Sequence, residues 1–192
     1  LIPRLLTAGD GQIYVYDYGD SRLKAFGHSG ELLWMTGRSG GGPEEFGNPL
    51  DIEVGPDGLV WVVDGGNGRL VRVSPDGSFH ISVPLRGLLI RDIIPLRGQV
   101  LGTPIGSREK VWVMFNDSAR EIRSGPPPLE PLRNAHPSTL QTIAALGSDG
   151  STWAAVYPFG NILLVYRGEE LLCTGSLIEG AAMSPAAPES LP

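Results

Sequence analysis

Short apolar runs alternate along this chain with clusters of glycine, aspartate, asparagine and proline. The runs "QIYVYD" (12–17), "RLKAF" (22–26), "ELLWMT" (31–36), "PLDIEV" (49–54), "LVWVVD" (59–64), "RLVRV" (69–73) and "SFHISV" (78–83) are rich in β-branched and aromatic residues. They are too short for stable helices and suit a pleated, half-buried surface. The segments between them, "DYGDSR", "GHSG", "DGGNGR" and "SPDG", carry the residues that tight turns require. The pattern predicts an all-β protein built from four-stranded antiparallel meanders.

The meanders repeat. "DGQIYVYDYGDSRLKAFGHSG" (10–30) lies over "DGLVWVVDGGNGRLVRVSPDG" (57–77) at an offset of 47 with no gap. Asp10, Gly11, Val15, Asp17, Gly19, Arg22, Leu23 and Gly30 recur as Asp57, Gly58, Val62, Asp64, Gly66, Arg69, Leu70 and Gly77. Two more diverged units follow, over 89–125 and 140–175. Gly98 there stands where Gly58 does, and Trp153 falls 92 residues after Trp61. Tyr14, Trp61 and Trp153 thus share one position, an aromatic slot for packing one sheet on the next. A unit of this size cannot bury both of its faces alone. Stacking such units about an axis gives a β-propeller.

The stretch "GRSGGGPEEFGNPLDIEVGPDGLVWVVDGGNGRLVRVSPDG" (37–77) resembles an NHL repeat, and more broadly the bacterial six-bladed β-propellers of NHL or TolB-like type. The likeness implies a scaffold with many uses rather than one activity. It also explains "GRSGGGPEEFGNP" (37–49) as the link from the outer strand of one blade to the inner strand of the next. There Phe46 is expected to plug the gap between neighbouring sheets. About four blades are expected, over 1–36, 47–85, 88–125 and 138–178, forming one domain (1–178) and part of a larger ring. A disordered tail is expected over 179–192.

Composition narrows the functional classes. The net charge is −6 and the 15 basic residues are scattered, so nucleic acid is not an expected partner. No apolar run reaches the ~20 residues of a membrane helix. The lone Cys173 permits no internal disulfide, and its apolar run predicts a buried, inert thiol. His28, His80 and His136 lack metal-site spacing, "GRSGGG" lacks the ending of a phosphate loop, and no metal or cofactor is expected.

Meander order puts the inter-blade links and the turns between second and third strands on one face. That face carries Arg38, Glu44, Glu45, Asn48, Asp64, Asn67, Asn134 and His136. Alignment on the hairpin glycines places Arg4, Asp51, Arg91 and Ile143 at one level of a channel lined by inner strands. The candidate ligand-binding residues are therefore Arg4, Asp51, Arg91, Arg38, Asn48 and His136, with no catalytic set among them. The pairs Asp17–Arg22 and Asp64–Arg69 recur at one spacing and are expected to be structural latches. The reading is a monomeric, extracytoplasmic bacterial binding module for a protein, peptide or glycan. The alternative, implied by the resemblance, is a lactonase-like hydrolase or lyase holding a channel metal through Asp51, Glu53 or Asn48.

Overall fold

The structure is a computed structural model. It describes residues 4–7, 11–116, 120–125, 143–147, 150–157, 162–176 and 184–185. Four antiparallel sheets follow one another along the chain, each with its strands in sequential order. The first holds β1 (Arg4–Thr7), β2 (Ile13–Asp17), β3 (Arg22–Phe26) and β4 (Leu32–Thr36). The second holds β5 (Pro49–Val54), β6 (Val60–Asp64), β7 (Arg69–Val73) and β8 (Phe79–Pro84). The third holds β9 (Ile90–Leu96), β10 (Gln99–Pro104), β11 (Val113–Asn116) and β12 (Glu121–Ser124). The fourth holds β13 (Ile143–Leu146), β14 (Thr152–Tyr157), β15 (Ile162–Arg167) and β16 (Glu170–Ser176), with β17 (Ser184–Pro185) added beside β16. Among the described residues there is no α-helix, and the helical turn Gly65–Asn67 is of 3-10 type.

The chain forms two compact units, Leu1–Gly102 with Met114–Arg123, and Thr103–Val113 with Ser124–Pro192. In the first unit β5 packs against both β1 and β9, so the innermost strands of successive sheets are neighbours. The alternation of the sequence becomes alternation of burial: β2 and β3 each bury every second residue. In β6 all five residues are buried, because this strand is covered on both faces.

The aromatic slot exists, and each sheet fills it differently. Tyr14, Trp61 and Trp153 are all buried on the second strand of their sheets. The residue opposite each on the third strand decides its cover. Opposite Trp61 stands Arg72, whose guanidinium lies 4.9 Å above the indole. Opposite Trp153 stands Tyr166, stacked at 4.2 Å and 6°. Opposite Tyr14 stands the small Ala25, and Trp34 reaches over it from β4 to within 5.8 Å of the Tyr14 ring. Burial of the stacked pair's sheet face pushes the Tyr166 hydroxyl up to about 12, so that ring stays neutral across the physiological range.

Phe46 joins the first two sheets. It is fully buried, edge-on to Tyr16 of β2 at 5.6 Å and tilted against Phe79 of β8 at 5.4 Å. The residues around it form one apolar cluster that draws Leu23 and Ala25 from the first sheet and Ile52, Val60, Val62, Val71 and Val73 from the second. Gly37 makes room for this ring. It has a φ of +87°, and a Cβ there would fall 2.4 Å from the Phe46 ring. Trp34 makes a second tie, donating its indole N–H to the Pro75 carbonyl at 2.6 Å.

Two substitutions test this packing. Phe46→Ala is expected to lower the unfolding free energy by ~3–5 kcal/mol in urea denaturation, as for other buried rings. Gly37→Ala combines a left-handed backbone with a clash on the same ring and is expected to be destabilising as well. A loss below about 0.5 kcal/mol in Phe46→Ala contradicts its role as the inter-sheet plug.

Candidate functional site

The end of the sheets that carries the inter-sheet connector is held by one buried carboxylate. Asp64, the last residue of β6, is fully buried. Its Oδ1 accepts the backbone N–H groups of Gly47 (2.9 Å) and Asn48 (3.1 Å). Its Oδ2 accepts from Asn67 Nδ2 (2.7 Å) and Arg69 Nε (3.1 Å). Both partners then reach the connector. Asn67 donates to the Gly40 carbonyl at 2.9 Å, and Arg69 Nη2 donates to the carbonyls of Gly42 (2.9 Å) and Glu45 (2.5 Å). A glycine-rich loop has many backbone groups and few side chains to satisfy them. Here those groups are satisfied by the turn after β6.

The connector also closes on itself. The Phe46 N–H donates to the Arg38 carbonyl at 2.8 Å, and the Gly40 N–H donates to the Phe46 carbonyl at 3.1 Å. Glu45 accepts the Gly42 N–H at 2.7 Å and Arg38 Nε at 2.8 Å. The Gly42 bond first, and Arg38 second, hold the Glu45 carboxyl below the ordinary glutamate range. Arg38 is three-quarters exposed and Asn48 is exposed, so these two point their polar ends outward from a fixed backbone.

The two repeated Asp–Arg pairs behave differently. Asp64 and Arg69 are bonded, as the spacing predicts. Asp17 and Arg22 are opposite each other in register, yet Asp17 bonds Lys24 (2.7 Å) and the Gly19 N–H (2.8 Å) instead. Lys24 lies on the same face of β3 and is also paired to Asp20 at 2.8 Å, so the lysine outcompetes the arginine. Of the two pairs, the Asp–Arg latch forms in the second sheet, where it holds the connector.

The inner-strand candidates are not gathered as the glycine alignment implies. Asp51 is buried on β5, and its Oδ2 accepts the Ile93 N–H of β9 at 2.8 Å while Oδ1 accepts the Ile52 N–H at 3.0 Å. It ties two neighbouring inner strands together rather than facing open space. Arg4 does share its register, since Arg4 opposes Tyr16 and Asp51 opposes Val63, 47 residues on. Arg91 does not. Over their first four residues β5 and β9 bury the same positions, which sets buried Asp92 at the place of Asp51 and half-buried Arg91 at that of Leu50. The cause is loop length: five residues join β5 to β6, and two join β9 to β10. On β13 Ala144, opposite Ala155, takes the level expected of Ile143, although five residues again join the two strands. His136 and Asn134 lie outside the described residues. Cys173 on β16 is half-buried rather than buried.

No protein-family model matches the chain. Over 64 residues it is 38% identical to mouse NHL repeat-containing protein 3, a match covering 31% of this chain and 18% of that protein. The matched segment is thus about a fifth of the relative's length. Among solved structures, virginiamycin B lyase from Staphylococcus aureus, crystallised with quinupristin as a catalytically inactive variant, superposes with a TM-score of 0.65. The identity is 13%, over 97% of this chain and 69% of that one. A Bacteroides fragilis protein described as a candidate for export superposes at 0.60, with 16% identity over 96% of this chain and 49% of the other. The fold is a β-propeller. Part of its sequence is similar to an NHL repeat-containing protein. In this propeller the connector backbone is held by Asp64 and its partners, and Arg38 and Asn48 are exposed on it.

Three outcomes follow for these carboxylates. Asp64→Ala leaves Arg69 and two backbone N–H groups without their acceptor, and is expected to cost ~3–5 kcal/mol in denaturant unfolding. Asp51→Ala orphans the Ile93 N–H and is expected to cost ~1–3 kcal/mol by the same measurement. Because the folded Glu45 carboxyl titrates below its unfolded value, the stability it contributes is complete above the ordinary glutamate range and is lost as the pH falls through its depressed midpoint. A pH series comparing the wild type with Glu45→Gln is expected to show this difference vanish in acid. A difference that persists unchanged in acid contradicts it.

Proposed function

We propose that this β-propeller is a non-catalytic binding module that presents its connector rim to a protein, peptide or glycan. The observation that carries the reading is the use made of the carboxylates. Asp51, Asp64 and Glu45 each accept backbone N–H groups of the chain itself. They hold the scaffold, and the groups facing outward from it are Arg38, Glu44 and Asn48. A rigid backbone with exposed polar side chains suits recognition, because little freedom is lost on binding. The ring is read as six-bladed, the number carried by the NHL resemblance, with the sheets described here as part of it. A bacterial, extracytoplasmic setting is supported by the likeness to the B. fragilis protein.

A second reading, a lyase or hydrolase, draws support from the likeness to virginiamycin B lyase. The metal site that the family resemblance implies would use Asp51 with Glu53 or Asn48. Asp51 does not fit that role, since both its oxygens already accept backbone N–H groups and it is buried.

The two readings part in one experiment. Arrays of peptides and glycans are probed with the wild type and with a protein carrying Arg38→Ala and Asn48→Ala, and the best ligands are measured by calorimetry. The binding reading expects saturable association, weakened at least about tenfold in the double variant, with the melting temperature lowered by no more than about 2–4 °C for the lost Arg38–Glu45 pair. Unaltered affinity in the double variant, or turnover of a lactone or cyclic ester by the wild type, contradicts it.

A further inference from the structure

The fourth strands, β4, β8, β12 and β16, form the outer side of their sheets and are not alike there. An outer strand offers a row of backbone N–H and C=O groups to any passing strand, and folded proteins blunt such edges with charge, proline or cover. β12 interleaves charge along its length, with Glu121 and Arg123. β8 has one exposed large apolar residue, Ile81, and ends on Pro84. β16 is covered, because β17 lies beside it as a fifth, antiparallel strand. β4 has none of these devices. It holds no charge and no proline, and no strand lies beyond it among the described residues. Leu32, Leu33 and Met35 on it are 48%, 44% and 49% exposed.

The covered edge shows where an added strand sits. β16 is bulged, with Leu172 the extra residue between Leu171, opposite Tyr166, and Cys173, opposite Val165. β17 pairs with the two residues that follow the bulge, Cys173 and Thr174. β4 has the same irregularity: Leu33 is the extra residue between Leu32, opposite Phe26, and Trp34, opposite Ala25. Counted from the bulge, Trp34 and Met35 stand where Cys173 and Thr174 do. The bulge also sets Leu32 and Met35 on one face with Phe26 and Lys24, the residues opposite them on β3. Arg22 lies on that face too, two residues before Lys24, and its Nη1 donates to Met35 Sδ at 3.2 Å. No carboxylate pairs with Arg22 among the described residues.

We propose that the edge of β4 takes up an extended apolar peptide segment bearing one acidic side chain, which pairs as a fifth strand along Trp34 to Thr36. Five residues are far fewer than the ~20–30 that each side of a stable interface between folded bodies supplies, so this edge suits an extended segment and not a second folded copy. Main-chain hydrogen bonds provide the attachment. Apolar residues of the segment cover Leu32, Leu33 and Met35. A residue opposite Met35 has its Cβ ~4.5–5.5 Å from the Met35 Cβ, so a glutamate there reaches the Arg22 guanidinium. The proposal does not depend on what the connector rim binds.

The probe is a peptide with blocked ends, Val-Thr-Val-Thr-Glu-Thr-Val-Thr-Val, titrated into the protein by calorimetry. Three comparison peptides carry glutamine in place of the glutamate, N-methyl groups on the odd-numbered amides, or N-methyl groups on the even-numbered amides. The wild type is expected to bind the probe saturably. One N-methylated peptide is expected to lose binding and the other to keep it, because only alternate amides of an added strand face its neighbour. Met35→Glu sets a carboxylate opposite Lys24 and beside Arg22, so its melting temperature is expected to hold while its affinity for the probe falls at least about tenfold. The glutamine peptide is expected to bind about two- to fivefold more weakly than the probe, and Arg22→Gln to erase that difference. No saturable binding up to about 1 mM, equal binding of the two N-methylated peptides, undiminished binding by Met35→Glu, or self-association of the wild type that replaces peptide binding and is abolished by Met35→Glu overturns the proposal.

Discussion

The Asp64 carboxylate is the point on which the sheet-to-sheet joint depends. A charge with no exposure is costly unless every lone pair finds a donor. Here four donors converge on it, two from the connector backbone and two from the side chains of Asn67 in the following turn and Arg69 at the start of β7. Those side chains do not stop at Asp64. Asn67 and Arg69 extend to the carbonyls of Gly40, Gly42 and Glu45, so one buried charge organises both the donors and the acceptors of a loop that has almost no side chains of its own.

The apolar consequence is Phe46. The connector can place this ring between the first two sheets only because its backbone is fixed on both sides of it, at Arg38 and Gly40 before it and at Gly47 after it. The ring then brings the aromatic residues of β2 and β8 into one cluster. Polar fixation and apolar filling are thus one device. The same division of labour reappears on the inner strands, where Asp51 bonds across to β9 beside the buried Ile52. Carboxylates that look like chemistry in the sequence are, in this propeller, the fasteners between sheets.

Much of this is visible in the amino-acid order. The 47-residue repeat marks the strands of the first two sheets, "GGPEEF" marks the connector, and its lone aromatic residue marks the plug. The aromatic slot is legible in Tyr14, Trp61 and Trp153, although what covers each ring is not, since that depends on a cross-strand neighbour of no fixed type. The inner-strand level is where sequence reasoning slips. Hairpin glycines are a poor anchor, because the two-residue loop ends on left-handed Gly98 while the five-residue loop carries left-handed Gly58 one residue before its end. The better signal was an aspartate followed by isoleucine in both strands, Asp51-Ile52 and Asp92-Ile93, whose burial coincides. The burial of Asp51 itself could not be read from its neighbours, since its partner is an N–H group 42 residues away.

The most direct measurement is amide hydrogen exchange of Gly47 and Asn48 in the wild-type protein. Both residues are exposed, so protection of their N–H groups reports the bond to Asp64 rather than burial. The account predicts that both exchange slowly, with opening free energies close to those of the β6 amides. Exchange of both at the rate of an unstructured loop contradicts it.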